Sequence, residues 1–305
     1  DWGFALPRRL AESLAPGDYD VVIRTREAPG TLRVLAYDHH GALPAVIVIG
    51  ANLDRPGVAN DGPAACAVGV EVMRRLQGRR TRFGYRLVLV PGTLGSEYYL
   101  ARMPQAERAR LLEGVFLEML GTPTPLALQH SREGRSAIEA ALARALAAAG
   151  TGHRVGDYET IIINDEHVWE AYGVPMASLS RFPYPEYHSS RDSVEALSEA
   201  ALAEAADVLL AAIEDLESTR LVTRLFTGCI CLSNPVYDLY VDPGEVVFGT
   251  AAAEEGLKLR RLMDLMPSLD RPTTTADLAG QVGLAEPVIV QYLTRWAAKG
   301  LLRLE

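Results

Sequence analysis

No cysteine framework runs through this sequence. Cys66 stands alone in an apolar stretch, and Cys229 and Cys231 form a Cys-x-Cys pair without a second Cys/His cluster. A disulfide scaffold is thereby excluded, and packing is a better account of the pair than metal ligation. A reducing cytoplasm is the default compartment. Positive charge is also short, with 30 Lys and Arg against 39 Asp and Glu and a formal net charge of −9. Phosphate backbones and anionic lipid demand a basic face, so neither nucleic acid nor membrane is an expected partner. No apolar run reaches the length of a membrane span. No signal-peptide pattern opens the chain, which begins at Asp1 without Met.

What is present is an ordinary globular composition, 49% hydrophobic over 305 residues, enough for one large α/β domain and a small one. Residues 45–49, 85–90 and 114–120 are short apolar runs that read as strands buried on both faces. Residues 160–163 and 175–179 are further strand candidates. Residues 19–24 and 31–37 alternate like two strands joined through Ala28-Pro29-Gly30. Helical periodicity covers 64–76, 97–102, 136–149 and 197–216. Strands alternating with helices predict a three-layer α/β/α domain with a mixed, mainly parallel sheet. Its expected extent is 1–218, followed by a Tyr- and Pro-containing connector over 219–254. Helices at 257–266, 275–282 and 287–298, then a strand at 300–304, form a winged-helix pattern over 255–305, with Thr275 a candidate cap. The prospective recognition helix carries only Arg295 as a basic residue, too few donors for DNA, so the module reads as a packing or interaction element.

The loop from Gly50 to Gly62 follows the first buried strand and holds Asp54, Arg55 and Asp61. Open α/β sheets build their sites at such strand ends. Asp61 could equally cap the next helix, Asp165-Glu166 could do the same for theirs, and Asp54 and Arg55 could pair across the turn. His188 follows Tyr187 in Pro185-Glu186-Tyr187-His188-Ser189-Ser190-Arg191-Asp192. His39 and His40 lie among turn signals and read as solvated.

Trp2-Gly3-Phe4, Gly17-Asp18-Tyr19, Asn60-Asp61, Pro91 with Leu94-Gly95-Ser96, Asp165-Glu166 and Pro185-Glu186-Tyr187-His188 occur in one order. On these motifs the whole chain resembles the bacterial aminopeptidase-like proteins linked to polysaccharide biosynthesis, which carry a C-terminal winged helix and are similar to the co-catalytic zinc aminopeptidases. The resemblance implies a metal site at the sheet's C-terminal edge. Asp61 would bridge two ions, Asp165 or Glu166 would add an oxygen, and His188 would be the imidazole ligand. Zinc accepts such a nitrogen and oxygen set and would activate a water for amide hydrolysis.

Three positions depart from the resembled pattern. Histidines are replaced at Asn52 and Arg55, so that a His-x-Asp pair becomes Asn52-Leu53-Asp54, and a glutamate is replaced by Gly92. Asn is a poor zinc ligand, Arg is none, and Gly cannot serve as a base. The expected site is therefore mononuclear, holding zinc or another divalent metal through Asp61, Asp165 and His188, with Glu118 a further candidate. Glu166 and Asp54 are the catalytic candidates, and Arg55, Arg181 and Tyr187 would contact a small-molecule or peptide substrate. A guanidinium at Arg55 would alternatively place a fixed positive charge where an ion once sat, able to take a carboxylate or phosphate. The leading expectation is an altered aminopeptidase-type metallohydrolase. The alternative is a metal-free, repurposed scaffold acting in binding or assembly within a biosynthetic pathway, with a homo-oligomer allowed by either.

Overall fold

The computed structural model describes residues 6–150, 152–242 and 251–305. Trp2-Gly3-Phe4 and residues 243–250 of the expected connector lie outside them. After a short exposed helix, α1 (Arg8–Ser13), the chain runs extended to an edge strand, β1 (Leu35–His39). The strand expected at 19–24 does not form. Its Val21, Val22 and Ile23 are exposed, so no packed face rewards their β-branched character.

Four apolar runs make the centre of the sheet: β2 (Val46–Asn52), β3 (Gly84–Val90), β4 (Leu111–Glu118) and β7 (Met176–Ser180). All four are buried throughout and pair in parallel in the order β3-β2-β4-β7. β1 adds antiparallel to β3. On the other side β5 (Ala127–Gln129) runs antiparallel to β7, and β6 (Arg154–Gly156) pairs with β5. These two three-residue strands carry too little periodicity to be read from sequence. The strand expected at 160–163 is absent. Gln129 takes the backbone there instead, its Oε1 accepting from Ile161 N at 2.8 Å and Ile162 N at 3.0 Å while its Nε2 donates to Ile162 O at 2.8 Å.

Helices cover both faces. α2 (Ala65–Leu76), α5 (Ala137–Ala149) and α7 (Glu199–Ser218) share a core with Ile47, Ile49, Leu87 and Leu117. α3 (Leu94–Arg102) and α6 (Glu166–Ala171) pack on the opposite face through Leu100, Val168 and Trp169, with the short α4 (Gln105–Arg108) beside them. Ser136 and Ser198 cap α5 and α7 by accepting from Glu139 N and Ala201 N. The three-layer α/β/α arrangement expected from the sequence is the one observed.

A second core lies beyond α7, built on Leu262, Leu293 and Trp296. It joins α8 (Ala251–Leu265), α9 (Thr275–Val282), α10 (Glu286–Ala298) and a small sheet in the order β10-β8-β9, from β8 (Leu221–Arg224), β9 (Thr273–Thr274) and β10 (Leu302–Leu304). The cap of α9 is Thr274, which accepts from Asp277 N at 3.0 Å. The neighbouring Thr275 hydroxyl instead donates to Glu286. Arg82 of the large unit reaches Glu305 O at 2.7 Å, tying the two cores together. Among the described residues no helix is long and apolar enough to cross a membrane.

Candidate functional site

β2 is followed by β3 on one side and, after α3 and α4, by β4 on the other, so the strand order reverses beside β2. A crevice forms at the C-terminal ends of β2 and β4, where such sheets take ligands. Asn52 ends β2 and Glu118 ends β4, both buried. The loop after β2 returns through a kinked turn at Asn60–Ala64 before entering α2. Gly62 is required there. Its φ is +109°, and a Cβ would lie 2.8 Å from Asn52 O.

Asp192 sets the turn. It is fully buried, and its Oδ1 accepts from Asn60 N at 2.6 Å and Ala59 N at 3.1 Å. Its Oδ2 accepts from Asp61 N at 3.1 Å and the Tyr184 hydroxyl at 2.6 Å. Burial opposes the charge, but the tyrosine and the three amides outweigh it and hold this carboxyl below its ordinary pKa. Asn60 adds a second tie, accepting from Gly121 N at 2.7 Å. Sequence reasoning named Asp192 only as part of a motif. Its three amide partners lie 131–133 residues away, and no local signal marks them.

The turn delivers Asp61 to Arg55 and His188. Arg55 Nη1 stands 3.0 Å from Asp61 Oδ2 and also donates to His188 Nε2, which is itself 3.2 Å from the same Asp61 oxygen. His188 sits at φ +50° and stacks on Tyr187 with ring centroids 3.9 Å apart. Arg55 therefore pairs with Asp61 and not with Asp54. Asp54 accepts from Gly92 N at 2.7 Å. A Cβ on Gly92 would lie 3.3 Å from that Asp54 oxygen and 3.5 Å from Asn52 Nδ2, so the position faces the crevice.

Behind this cluster runs a polar relay that the sequence did not disclose. Asn52 Nδ2 donates to Asn164 Oδ1 at 3.2 Å, and Asn164 Nδ2 donates to Glu118 Oε1. Asn164 N donates to Glu166 Oε2 at 3.0 Å. Burial, reinforced by Glu166, Asp61 and Asp165, pushes the Glu118 carboxyl well above its usual range. Burial likewise raises Glu166 to about 7 and raises Asp61 despite Arg55 and His188. Glu166 Oε1 and Asn52 Oδ1 are buried without a hydrogen-bond partner among the described residues.

Two expected site residues have other duties. Asp165 accepts from Thr93 N at 2.7 Å and from the Ser96 hydroxyl, which also accepts from Trp169 Nε1 at 3.1 Å. Both its oxygens anchor α3 to α6, so it is not presented as a ligand. Arg181, expected to touch substrate, is 2% exposed. It donates to Leu120 O at 3.2 Å, Thr124 O, Ala201 O at 3.0 Å and Glu204 Oε2 at 2.6 Å. It is a buried brace between the β4 end and α7. Arg181→Met is expected to lower stability by about 3–5 kcal/mol, because it strands buried acceptors and a carboxylate. Urea denaturation reads this directly, and a near-unchanged midpoint would contradict the brace. Cys66 is an inert core residue whose thiol donates to Asn52 O at 3.1 Å and is pushed up to about 12 by burial. Cys229 and Cys231 are exposed free thiols rather than packed ones.

A family model described as "Domain of unknown function (DUF4910)" matches residues 3–219. The chain belongs to that family. A curated relative from Clostridium acetobutylicum, named as a candidate polysaccharide biosynthesis protein with an aminopeptidase-like domain, is 24% identical over 233 residues. The match takes in 75% of this chain and 53% of the relative, so the chain spans about half the length of the curated relative it matches. A crystal structure of a candidate peptidase from the same organism aligns with TM-score 0.67 and 20% identity, over 100% of this chain and 68% of that one. The zinc aminopeptidase BSAP of Bacillus subtilis aligns with TM-score 0.51 and 20% identity, over 60% of this chain and 49% of its own. A glutaminyl cyclase of Porphyromonas gingivalis aligns with TM-score 0.52 and 20% identity, over 61% and 77%. The aminopeptidase-like fold is thus shared with proteins named for two different reactions, and the reaction has to be argued from the site.

The zinc implied by these neighbours can be tested against the residues. Asp61 and His188 are the two donors best placed for an ion, and the guanidinium of Arg55 sits against both. Glu118 Oε1 is engaged by Asn164, and Asp165 is spent on Thr93 and Ser96. Among the described residues no group of three or more His, Cys, Asp or Glu side chains is placed to hold a metal ion. The residues present do not fit the expected set of Asp61, Asp165 and His188.

Proposed function

We propose that this protein is a repurposed aminopeptidase-like scaffold whose crevice binds a small carboxylated ligand without a resident metal. The observation that carries this reading is the contact of Arg55 Nη1 with both Asp61 Oδ2 and His188 Nε2. A fixed guanidinium supplies there the positive charge that a divalent ion would supply, and it neutralises the buried Asp61. Its remaining N–H groups can take a carboxylate in a two-pronged bond. Tyr187 and His188 form a stacked wall beside it, and Gly92 leaves space where a catalytic glutamate would stand. Substitution of both histidine positions, at Asn52 and Arg55, supports the same conclusion.

Elemental analysis of the purified protein, before and after incubation with zinc, tests the reading, with His188→Ala alongside. The expected result is no specifically held zinc in either protein. About one ion per chain, lost in His188→Ala, would replace this reading by the mononuclear hydrolase, with Arg55 displaced from Asp61. Without specific metal, a thermal-shift screen of amino acids and short peptides against wild type and Arg55→Ala would identify the ligand class.

A further inference from the structure

The opposite end of the sheet carries a second cavity, about 510 Å³, between the large unit and the C-terminal one. It lies beneath the N-terminal ends of β2 and β4, with Ala45 and Leu111 in its wall, whereas the crevice lies at their C-terminal ends. A strand of seven or eight residues separates them by roughly 25 Å. Its size falls within the range of small-molecule sites, which favour such junctions between units.

Its side chains are unusual for this acidic protein. Arg108 and Arg110 come from the large unit, Arg271 and Arg303 from the C-terminal one, and only Asp270 and Glu305 oppose them. In the wall itself four guanidinium groups face two carboxylates, while Asp277 and Asp38 act on Arg271 and Arg110 from outside it. Arg303 is 3.4 Å from Glu305, while Arg271 makes no short ion pair among the described residues and feels the charge of Asp277. Arg110 is steadied by Pro44 O at 2.9 Å, and Arg108 lies over the Tyr172 ring at 5.3 Å. The rest of the wall is largely apolar, including Leu112, Val174 and Leu221.

We propose that this cavity binds a phosphomonoester with an apolar or aromatic body. A carboxylate carries one charge and can be satisfied by one arginine. A phosphomonoester carries about −1.5 to −2 at neutral pH and offers three oxygens to guanidinium forks from two units. The apolar wall and the Tyr172 ring suit the body of the ligand. Because both units contribute arginines, binding joins them, and a ligand that binds only the joined form raises the melting temperature.

Isothermal titration with phenyl phosphate tests this on the full chain, with inorganic phosphate and phenol as comparison probes. Saturable binding of phenyl phosphate is expected, weaker for inorganic phosphate and absent for phenol. Arg271→Ala/Arg303→Ala should weaken it about tenfold or more, and added salt should weaken it further. Both positions are exposed, and melting without ligand checks that the variant folds. Arg271→Glu provides an independent charge reversal with the same expected loss. No saturable binding, binding untouched by both variants, or phenol binding as tightly as phenyl phosphate would each overturn the proposal. None of these outcomes depends on how the Arg55 crevice is read.

Discussion

Asp192→Ala is expected to cost about 3–5 kcal/mol of stability and to release the Asn60–Asp61 turn, since it strands three amides and a hydroxyl around a buried position. One carboxylate there replaces the helical hydrogen bonds that the turn cannot make. The Ala59, Asn60 and Asp61 N–H groups all point at it, and Tyr184 closes its remaining lone pair. Asp192→Asn keeps the shape and one acceptor oxygen but loses the charge, so its cost should be nearer 1–2 kcal/mol. Urea denaturation of the two variants separates these magnitudes. Hydrogen exchange at the Asn60 and Asp61 amides reports the turn itself, and protection there should fall in Asp192→Ala before the core strands are affected. Equal stability of wild type and Asp192→Ala would remove the carboxylate from this account. If the turn opens, Asp61 also leaves Arg55 and His188, so ligand binding in the crevice should fail with it.

The contrast between Asp192 and Asp61 shows which parts of the site could be read in advance. β2, β3, β4 and β7 were legible because strands buried on both faces need continuous apolar runs, and few other elements do. Asp61 and His188 stood out through their motifs and Glu118 through its place at a strand end, and the structure brings all three to one crevice. Arg55 was expected to pair across the turn with Asp54 or to contact a ligand, and its partner is Asp61 and not the adjacent Asp54. Arg181 was misplaced because it adjoins the Tyr187-His188 motif in sequence, while its acceptors at Leu120, Thr124, Ala201 and Glu204 are brought to it only by folding. Asn164 was missed for a related reason. A single asparagine before two acids carries no pattern, yet it joins Glu118 to Asn52, the latter 112 residues away from it in sequence. Residues 160–163 illustrate the reverse error, in which β-branched side chains suggested a ladder and one glutamine satisfied the backbone.

The raised carboxyls predict an unusual pH response. Glu166 is almost fully buried and its pKa stands at about 7, against an ordinary glutamate value of 4.5. The folded protein therefore binds more protons than the unfolded chain between those values, and stability must fall as pH rises. The favourable contribution is complete below about 4.5, is lost as pH passes through about 7, and then levels off. The shift corresponds to roughly 3 kcal/mol for this one group. Glu118, raised by burial and by its acidic neighbours, adds a loss of the same sign. Asp192 acts oppositely, since its lowered pKa makes it a source of stability that disappears only at acid pH. Glu166→Gln keeps an acceptor for Asn164 N and removes the titration. It should melt several degrees above wild type at pH 8, show little difference at pH 4.5, and give a flatter profile between them. Glu118→Gln should do the same while keeping an acceptor for the Asn164 amide. If both variants track the wild-type slope from pH 4.5 to 8, neither carboxyl carries the buried charge assigned to it. A flattened slope would mean that the crevice holds buried acids that cost stability near neutral pH. Such groups are retained against stability where a ligand or a proton uses them.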